Sequence, residues 1–461
     1  MVTKMYKRWN QPGGYRRILQ ISLPLVASMA STTIMEFTDR IFLGHYSLEA
    51  IAAALPAGIL HFVIICFFMG VINYTNVFVA QYSGADEPEN VGASIWQGLY
   101  CAMLGALFLF GVSFFAEELF ILGGHGPEVR KLEAIYFRIL CFGAAPALVS
   151  VSLSCFFSGR GYTRPVMLVN LFAACMNIPL DYALINGKLI FPELGIAGAA
   201  LATTMAWTIT ALFFAWLVFT PRNNQLFAVW RARKFNGEIF GRLMKFGLPG
   251  GVQFFMEMFA FTFFIFMTGR LGKLELAATN IAFSINSLAF MPMLGFHIGI
   301  STIVGQAIGR GEPLVGARAV TNSLHLTLTY MGLVVIVFLF APEWLLKLFR
   351  PHDMGASEFE SLVQTGVVLL RFVSLYTFFD ALCLTFSGAL KGAGDTRFVM
   401  LTMLFCSICI MVIPAYLTVE IFKAGLFAVW CVATAFISSL GIAYFLRYRS
   451  GKWQGMNVMG K

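Results

Sequence analysis

RILCFGAAPALVSVSLSCFFSGRGYTR, residues 138–164, aligns without a gap on RFVSLYTFFDALCLTFSGALKGAGDTR, residues 371–397. Arg138, Gly159, Gly161, Thr163 and Arg164 fall opposite Arg371, Gly392, Gly394, Thr396 and Arg397. Two further matches occur in the same order. Residues 20–54, QISLPLVASMASTTIMEFTDRIFLGHYSLEAIAAA, run against residues 245–280, with Pro24 opposite Pro249, Gly44 opposite Gly269 and, after a one-residue slip, Glu49 opposite Glu275. VAQYSGADEP (79–88) meets VGQAIGRGEP (304–313). Three matches at nearly constant offset describe a duplicated plan, joined by the basic connector PRNNQLFAVWRARKFNGEIFGRLMK (221–245).

Each copy is built of long apolar runs. The chain of 461 residues is 59% apolar and 12% charged, with a mean hydropathy of +0.78, well above the ~45–50% apolar share of a soluble globule. Runs of this length cross a ~30 Å hydrocarbon core as helices of roughly 20 residues, and they lack the alternation of a membrane barrel. The reading is an all-α polytopic membrane protein of about twelve spans: 1–17 an N-terminus, 18–220 a six-helix lobe, 221–245 the connector, 246–446 a second six-helix lobe, and 447–461 a tail. No short apolar region with a small-residue cleavage site follows the first basic residues, so the first span is expected to serve as the insertion signal. All nine cysteines lie in apolar runs, without a CxxC or an external pair.

The formal charge of +9 invites a nucleic-acid reading, and its distribution rejects it. With both termini on one side, that side carries 21 Lys and Arg, the other carries nine, and Arg138 and Arg371 fall inside spans. This is the positive-inside asymmetry, so both termini and the connector are expected in the cytoplasm. An even number of spans per copy relates the two halves by an axis along the membrane normal, the parallel repeat of transporters that bind substrate between rocking halves.

An ionised carboxylate at the bilayer centre costs at least ~2.5–3.5 kcal/mol, so acids within spans are candidates for function. Five of 23 qualify: Glu36, Asp39, Asp181, Glu257 and Asp380. Asn177 and Asp181 are i,i+4 neighbours flanking Pro179, where the backbone ladder is weakened. At ~1.5 Å per residue Asp39 and Asp181 both reach the outer half of the membrane, while Glu257 and Asp380 meet at middle to inner depth. Asp39 aligns with Phe264, Glu257 with Thr32 and Asp380 with Ala147, so each copy has its own polar cluster. Asp39, Asn177, Asp181 and Thr203 form an oxygen-rich set suited to Na⁺, or to a proton on a buried carboxyl. The same acids are the natural counter-charge of a lipophilic cation. Gln253, Asn280 and His297 are further polar residues inside spans, and Pro24 favours a bend in the first one. The structural alternative for each is a hydrogen bond to a neighbouring helix. SGRGYTRP and KGAGDTR are not phosphate loops of the GxxxxGK[ST] type, and read as tight turns.

These segments resemble the multidrug and toxic compound extrusion (MATE) transporters, in their bacterial NorM-type branch. The resemblance rests on the LP of the first span with EFTDRIFLGHYSLEAIAAA, on VAQYSGADEP, SGRGYTRP, NIPLDYALING with GIAGAALATT, LPGGVQFFME, and FFDALCLTFSGALKGAGDTR. It implies a 6+6 helical fold and export of organic cations driven by inward Na⁺ or H⁺, with no other cofactor. It also implies an N-lobe cation site at Asp39, Asn177, Asp181 and Thr203, a C-lobe site at Glu257 and Asp380, and a bending first helix at Pro24. The expected protein is a monomeric antiporter of the bacterial cytoplasmic membrane, with drugs and the lipid bilayer as its partners. The rival readings are a lipid-linked saccharide flippase, a cation channel and, for want of a convergent nucleophile and base, least of all a membrane enzyme.

Overall fold

The computed structural model describes residues 8–121, 126–188, 191–349 and 355–460. The outer loop expected at 342–360 and the first and last residues of the chain lie partly outside that range. A chain in lipid must satisfy its backbone groups within itself, and the described residues do so almost wholly as helix. The spans are α1 Tyr15–Tyr46, α2 Glu49–Gly84, α3 Pro88–Ser113, α4 Pro127–Phe142 with Ala144–Ser158, α5 Arg164–Asn186 and α6 Ile196–Val218. Then follow α7 Gly237–Gly269, α8 Lys273–Gly309, α9 Pro313–Phe340, α10 Ser357–Ala393, α11 Thr396–Ile421 and α12 Leu426–Arg449. Eleven are long and apolar enough to cross a membrane, and the bent pair that makes α4 is the twelfth.

Local chemistry sets the ends and breaks. Ser47 caps α2 by accepting from the Ala50 N–H, and Gly187, at φ 62°, closes α5 in the left-handed conformation. Tyr74 interrupts the helical ladder of α2. α4 bends by 41° at Gly143, where a Cβ would lie 2.5 Å from the Thr204 Oγ1 of α6. In α11 the backbone opens into π turns at Cys406–Val412 and Leu417–Ile421, on either side of Pro414, whose ring cannot continue the normal ladder. α1 remains helical through Pro24.

The connector is shorter than its sequence suggests. Only Pro221–Phe227 and a single turn at Arg231–Arg233 precede α7, which starts at Gly237, so the stretch expected to end at 245 is helical from 237 onward. It is tied to α3 by hydrogen bonds from Trp96 Nε1 to the Val229 carbonyl (2.6 Å) and from the Tyr100 hydroxyl to the Arg233 carbonyl (2.5 Å). The tail is also folded: Trp453 is buried against Tyr448, and the Val458 N–H donates to Gln81 Oε1 at 2.9 Å.

Two packing units divide the chain, and they differ from the sequence lobes 18–220 and 246–446. One contains residues 27–255 with 309–311 and 458–461, the other residues 1–26, 256–308 and 312–457. Each unit therefore packs around the leading end of the other repeat's first helix. Small residues explain the exchange. In the first unit a Cβ on Gly70 of α2 would lie 2.8 Å from the Gly250 carbonyl and Gly251 Cα of α7. In the second, a Cβ on Gly295 of α8 would lie 2.7 Å from Val26 of α1. Gly70 and Val26 align with Gly295 and Gly251, so one backbone-to-backbone contact is made twice, as close helix packing in lipid requires.

The duplication is visible elsewhere. Gly159 of α4 abuts the Asn76 carbonyl, and its counterpart Gly392 of α10 abuts the carbonyl of Ser301, the counterpart of Asn76; a Cβ would meet these oxygens at 2.6 and 2.5 Å. Leucine at either position must separate two backbones. Gly159→Leu and Gly392→Leu are each expected to lower stability by about 1–3 kcal/mol, read as an earlier thermal transition in detergent. Gly111→Ala, where a Cβ meets nothing within 4 Å, is expected to leave the transition in place.

Candidate functional site

Three helices of the first unit bring one expected set together. Asp39 comes from α1, Asn177 and Asp181 from successive turns of α5, and Thr203 from α6. Asp39 is 8% exposed, Thr203 7%, and Asn177 and Asp181 are fully buried. Thr203 Oγ1 donates to Asp39 Oδ2 at 3.2 Å. The Asp181 carboxyl lies against that of Asp39 on one side and the Asn177 side chain on the other. Yet Asp39 Oδ1, both Asp181 carboxyl oxygens and both polar atoms of the Asn177 amide make no well-formed hydrogen bond. Two carboxylates in contact repel unless a proton or cation lies between them, and orphaned oxygens in an apolar medium are costly. The donor set fits a small hard cation or a shared proton. Glu36, one turn before Asp39, is exposed and makes no hydrogen bond to this set.

The second expected pair lies in the other unit. Glu257 of α7 and Asp380 of α10 are half-buried and within electrostatic reach of one another. His297 of α8 is a hydrogen-bonded helix contact. Its Nδ1 lies 2.9 Å from the Leu384 carbonyl and 3.4 Å from Ser387 Oγ. Asn280 is exposed, and its carbonyl accepts from Ser284 Oγ at 2.8 Å. Gln253, one turn before Glu257 on α7, is buried. Among the described residues no group of three or more His, Cys, Asp or Glu side chains is arranged to hold a metal.

SGRGYTRP turns at Gly161, while KGAGDTR is helical as far as Ala393 and turns at Gly394. Gly161 and Gly394 have φ of 74° and 115°. Arg160 lies over the Phe156 and Phe227 rings at 4.5 and 4.1 Å, and Asp395 pairs with Arg447 at 2.6 Å. Their charges hold helix ends.

Two features escaped the sequence. A cavity of about 150 Å³ within the first unit is lined by Thr32, Met35, Met69, Asn170, Trp207 and Thr210, among others. Its Trp207 wall is backed by the buried His61 ring, stacked at 5.9 Å, and Asn170 Nδ2 donates to Ser28 Oγ at 2.6 Å. Asn170 is a polar residue in an apolar run, and that signal was available. The second feature is Lys391, which belongs to α10 and lies within electrostatic reach of Glu257.

Two six-helix repeats, one with a buried acidic pair and the other with a half-buried one, are the architecture of a polytopic membrane transporter. The chain belongs to the MatE family, whose model matches residues 24–183 and 249–417, one segment in each repeat. It is 28% identical to the probable multidrug resistance protein NorM of Pseudomonas syringae pv. tomato, over 98% of this chain and 99% of that protein. It is 26% identical to the probable multidrug resistance protein NorM of Thermotoga maritima, over 96% and 94%. Its fold superposes on an outward-facing multidrug resistance MATE family transporter with a TM-score of 0.84 at 20% identity, covering 97% of this chain and 98% of the other. These likenesses place it in the NorM-type branch.

The contact between the acids yields a test by stability. Asp181→Asn removes one of two repelling charges and leaves a side chain of the same size. In cation-free buffer at neutral pH it is expected to raise the thermal transition, equivalent to about 1 kcal/mol or more, and to abolish any stabilisation by added Na⁺. A fall in the transition together with retained Na⁺ stabilisation would contradict the site.

Proposed function

We propose that this transporter expels amphipathic, mostly cationic organic compounds across the bacterial cytoplasmic membrane in exchange for Na⁺ or H⁺. The observation that carries this reading is the buried contact of Asp39 with Asp181, three of whose four carboxyl oxygens make no well-formed hydrogen bond in a medium that penalises this. A cation or proton entering there relieves the repulsion and alters how α1, α5 and α6 hold together, which is the differential binding that alternating access needs. The relatives that match along nearly the full chain are named as probable multidrug resistance proteins, which supports the substrate class.

The cavity beside α1 and α5 supports the same class. Its methionine and tryptophan walls adapt to flat rings, and the Asn170 amide and threonine hydroxyls supply polar contacts. Its volume is below the ~300–1,000 Å³ of most drug pockets, so it accommodates a ring system and leaves the remainder of a larger compound outside. The basic residues gathered at both termini and the connector set the orientation, with both ends in the cytoplasm. The chain acts as a monomer, since each repeat supplies its own acids.

The test is efflux of a fluorescent organic cation from proteoliposomes under an imposed inward Na⁺ gradient and, separately, a pH gradient. Wild type is expected to respond to one of them. Asp39→Asn is expected to reduce gradient-driven efflux by at least about tenfold, the coupling free energy of a linked site, while Asn280→Ala remains near wild type. Absence of efflux under both gradients would overturn the antiport reading and favour a lipid-linked saccharide flippase.

A further inference from the structure

The second unit contains a charged side chain that the acidic sites leave unexplained. Lys391 belongs to the motif KGAGDTR, yet α10 continues through it to Ala393 and the side chain is half-buried. Asp380, Leu384, Ser387 and Lys391 recur at helical spacing along one stripe of α10. Two members of that stripe are fastened to α8, since the Leu384 carbonyl and Ser387 Oγ both meet His297. Gly388 and Gly392 bring the helices together, for a Cβ on them would lie 2.8 Å from the His297 carbonyl and 2.5 Å from the Ser301 carbonyl. The Lys391 stem therefore lies along a closely packed helix pair. Its ammonium is within electrostatic reach of Glu257, and Glu257 is within reach of Asp380. Asp380 and Lys391 are separated by about 16 Å along the helix, with Glu257 beside both, so acid, acid and ammonium form a graded series.

The internal duplication sharpens the point. Glu257 aligns with Thr32, and Lys391 aligns with Ser158, whose hydroxyl donates to Asn76 Oδ1 at 2.6 Å. Both positions are neutral in the first repeat and both are charged in the second. The acid and the ammonium are a matched departure from the common plan. A lysine is suited to this role: a compact ammonium on a flexible four-carbon stem can leave one carboxylate and return without moving its helix.

We propose that Lys391 is a tethered counter-cation of the Glu257 and Asp380 site: its ammonium neutralises Glu257 whenever the transported cation is absent, and so competes with that cation for the carboxylate. Cation binding at the second site then requires displacement of the lysine, and return of the lysine drives release. The physiological meaning rests on the antiport reading, but the competition itself is a property of equilibrium binding and is tested without transport.

The experiment measures equilibrium binding of ²²Na⁺ to the purified full-length transporter carrying Asp39→Asn, which silences the first site. In that background Lys391→Gln is expected to bind Na⁺ at least about tenfold more tightly, the scale of coupling between linked sites. Lys391→Met, which keeps a long stem and removes the charge, is expected to do the same. Lys391→Arg retains the weak binding of the parent, and adding Glu257→Gln to Lys391→Gln cancels the gain. A purely structural lysine would lower the folded yield of Gln and Met variants without tightening Na⁺ binding. Affinities of both charge-removed variants within twofold of the parent, or a gain that survives Glu257→Gln, would overturn the proposal. So would failure of all variants to bind. Loss of gradient-driven efflux in wild-type proteoliposomes would count against antiport alone.

Discussion

A carboxylate in hydrocarbon has few ways to persist: it takes a proton, pairs with a cation, or collects hydrogen bonds until its charge is shared. The Asp39 and Asp181 contact does none of these fully. The Thr203 hydroxyl donates to Asp39 alone, and four of the atoms around it, three carboxyl oxygens and the Asn177 oxygen, are unsatisfied acceptors. Their arrangement is held by the packing of three helices, two of which are also joined by the hydrogen bond from Asn170 to Ser28.

The second unit meets the same constraint differently. Glu257 and Asp380 are neighbours, and Lys391, near the C-terminal end of α10, lies within electrostatic reach of Glu257. The first repeat sets two acids against each other, and the second sets an ammonium within reach of its acid. Two halves that began as one plan have thus divided the electrostatic work, and the division follows substitutions at Thr32, Ser158 and their counterparts.

Glycine makes both arrangements possible. Without a hydrophobic force between helices in lipid, close packing depends on small residues that let backbones touch. Gly70 and Gly295 fasten the second helix of each repeat to the leading end of the other repeat's first helix, while Gly159 and Gly392 fasten the fourth. The exchanged ends of α1 and α7 mean that each packing unit contains chain from both repeats. Neither first helix can shift without disturbing the unit that holds its leading end.

Length and hydrophobicity of the apolar runs and their twofold recurrence are one-dimensional properties, and they determined the span count and the repeat, while the order of short motifs such as SGRGYTRP and NIPLDYALING carried the resemblance to the family. They also marked the intramembrane acids, because an acid in an apolar run is conspicuous whatever its neighbours. Which acids meet was less accessible. Asn177 and Asp181 share a face by spacing alone, but their approach to Asp39 and Thr203 depends on how three helices pack. Asn280 and Glu36 had the same polarity as the residues that cluster, and the tertiary structure left them exposed. The exchange of helix ends, the bend at Gly143 and the inward course of Lys391 were decided by contacts between residues far apart in the chain. Helical periodicity specifies a face, and only packing specifies what that face meets.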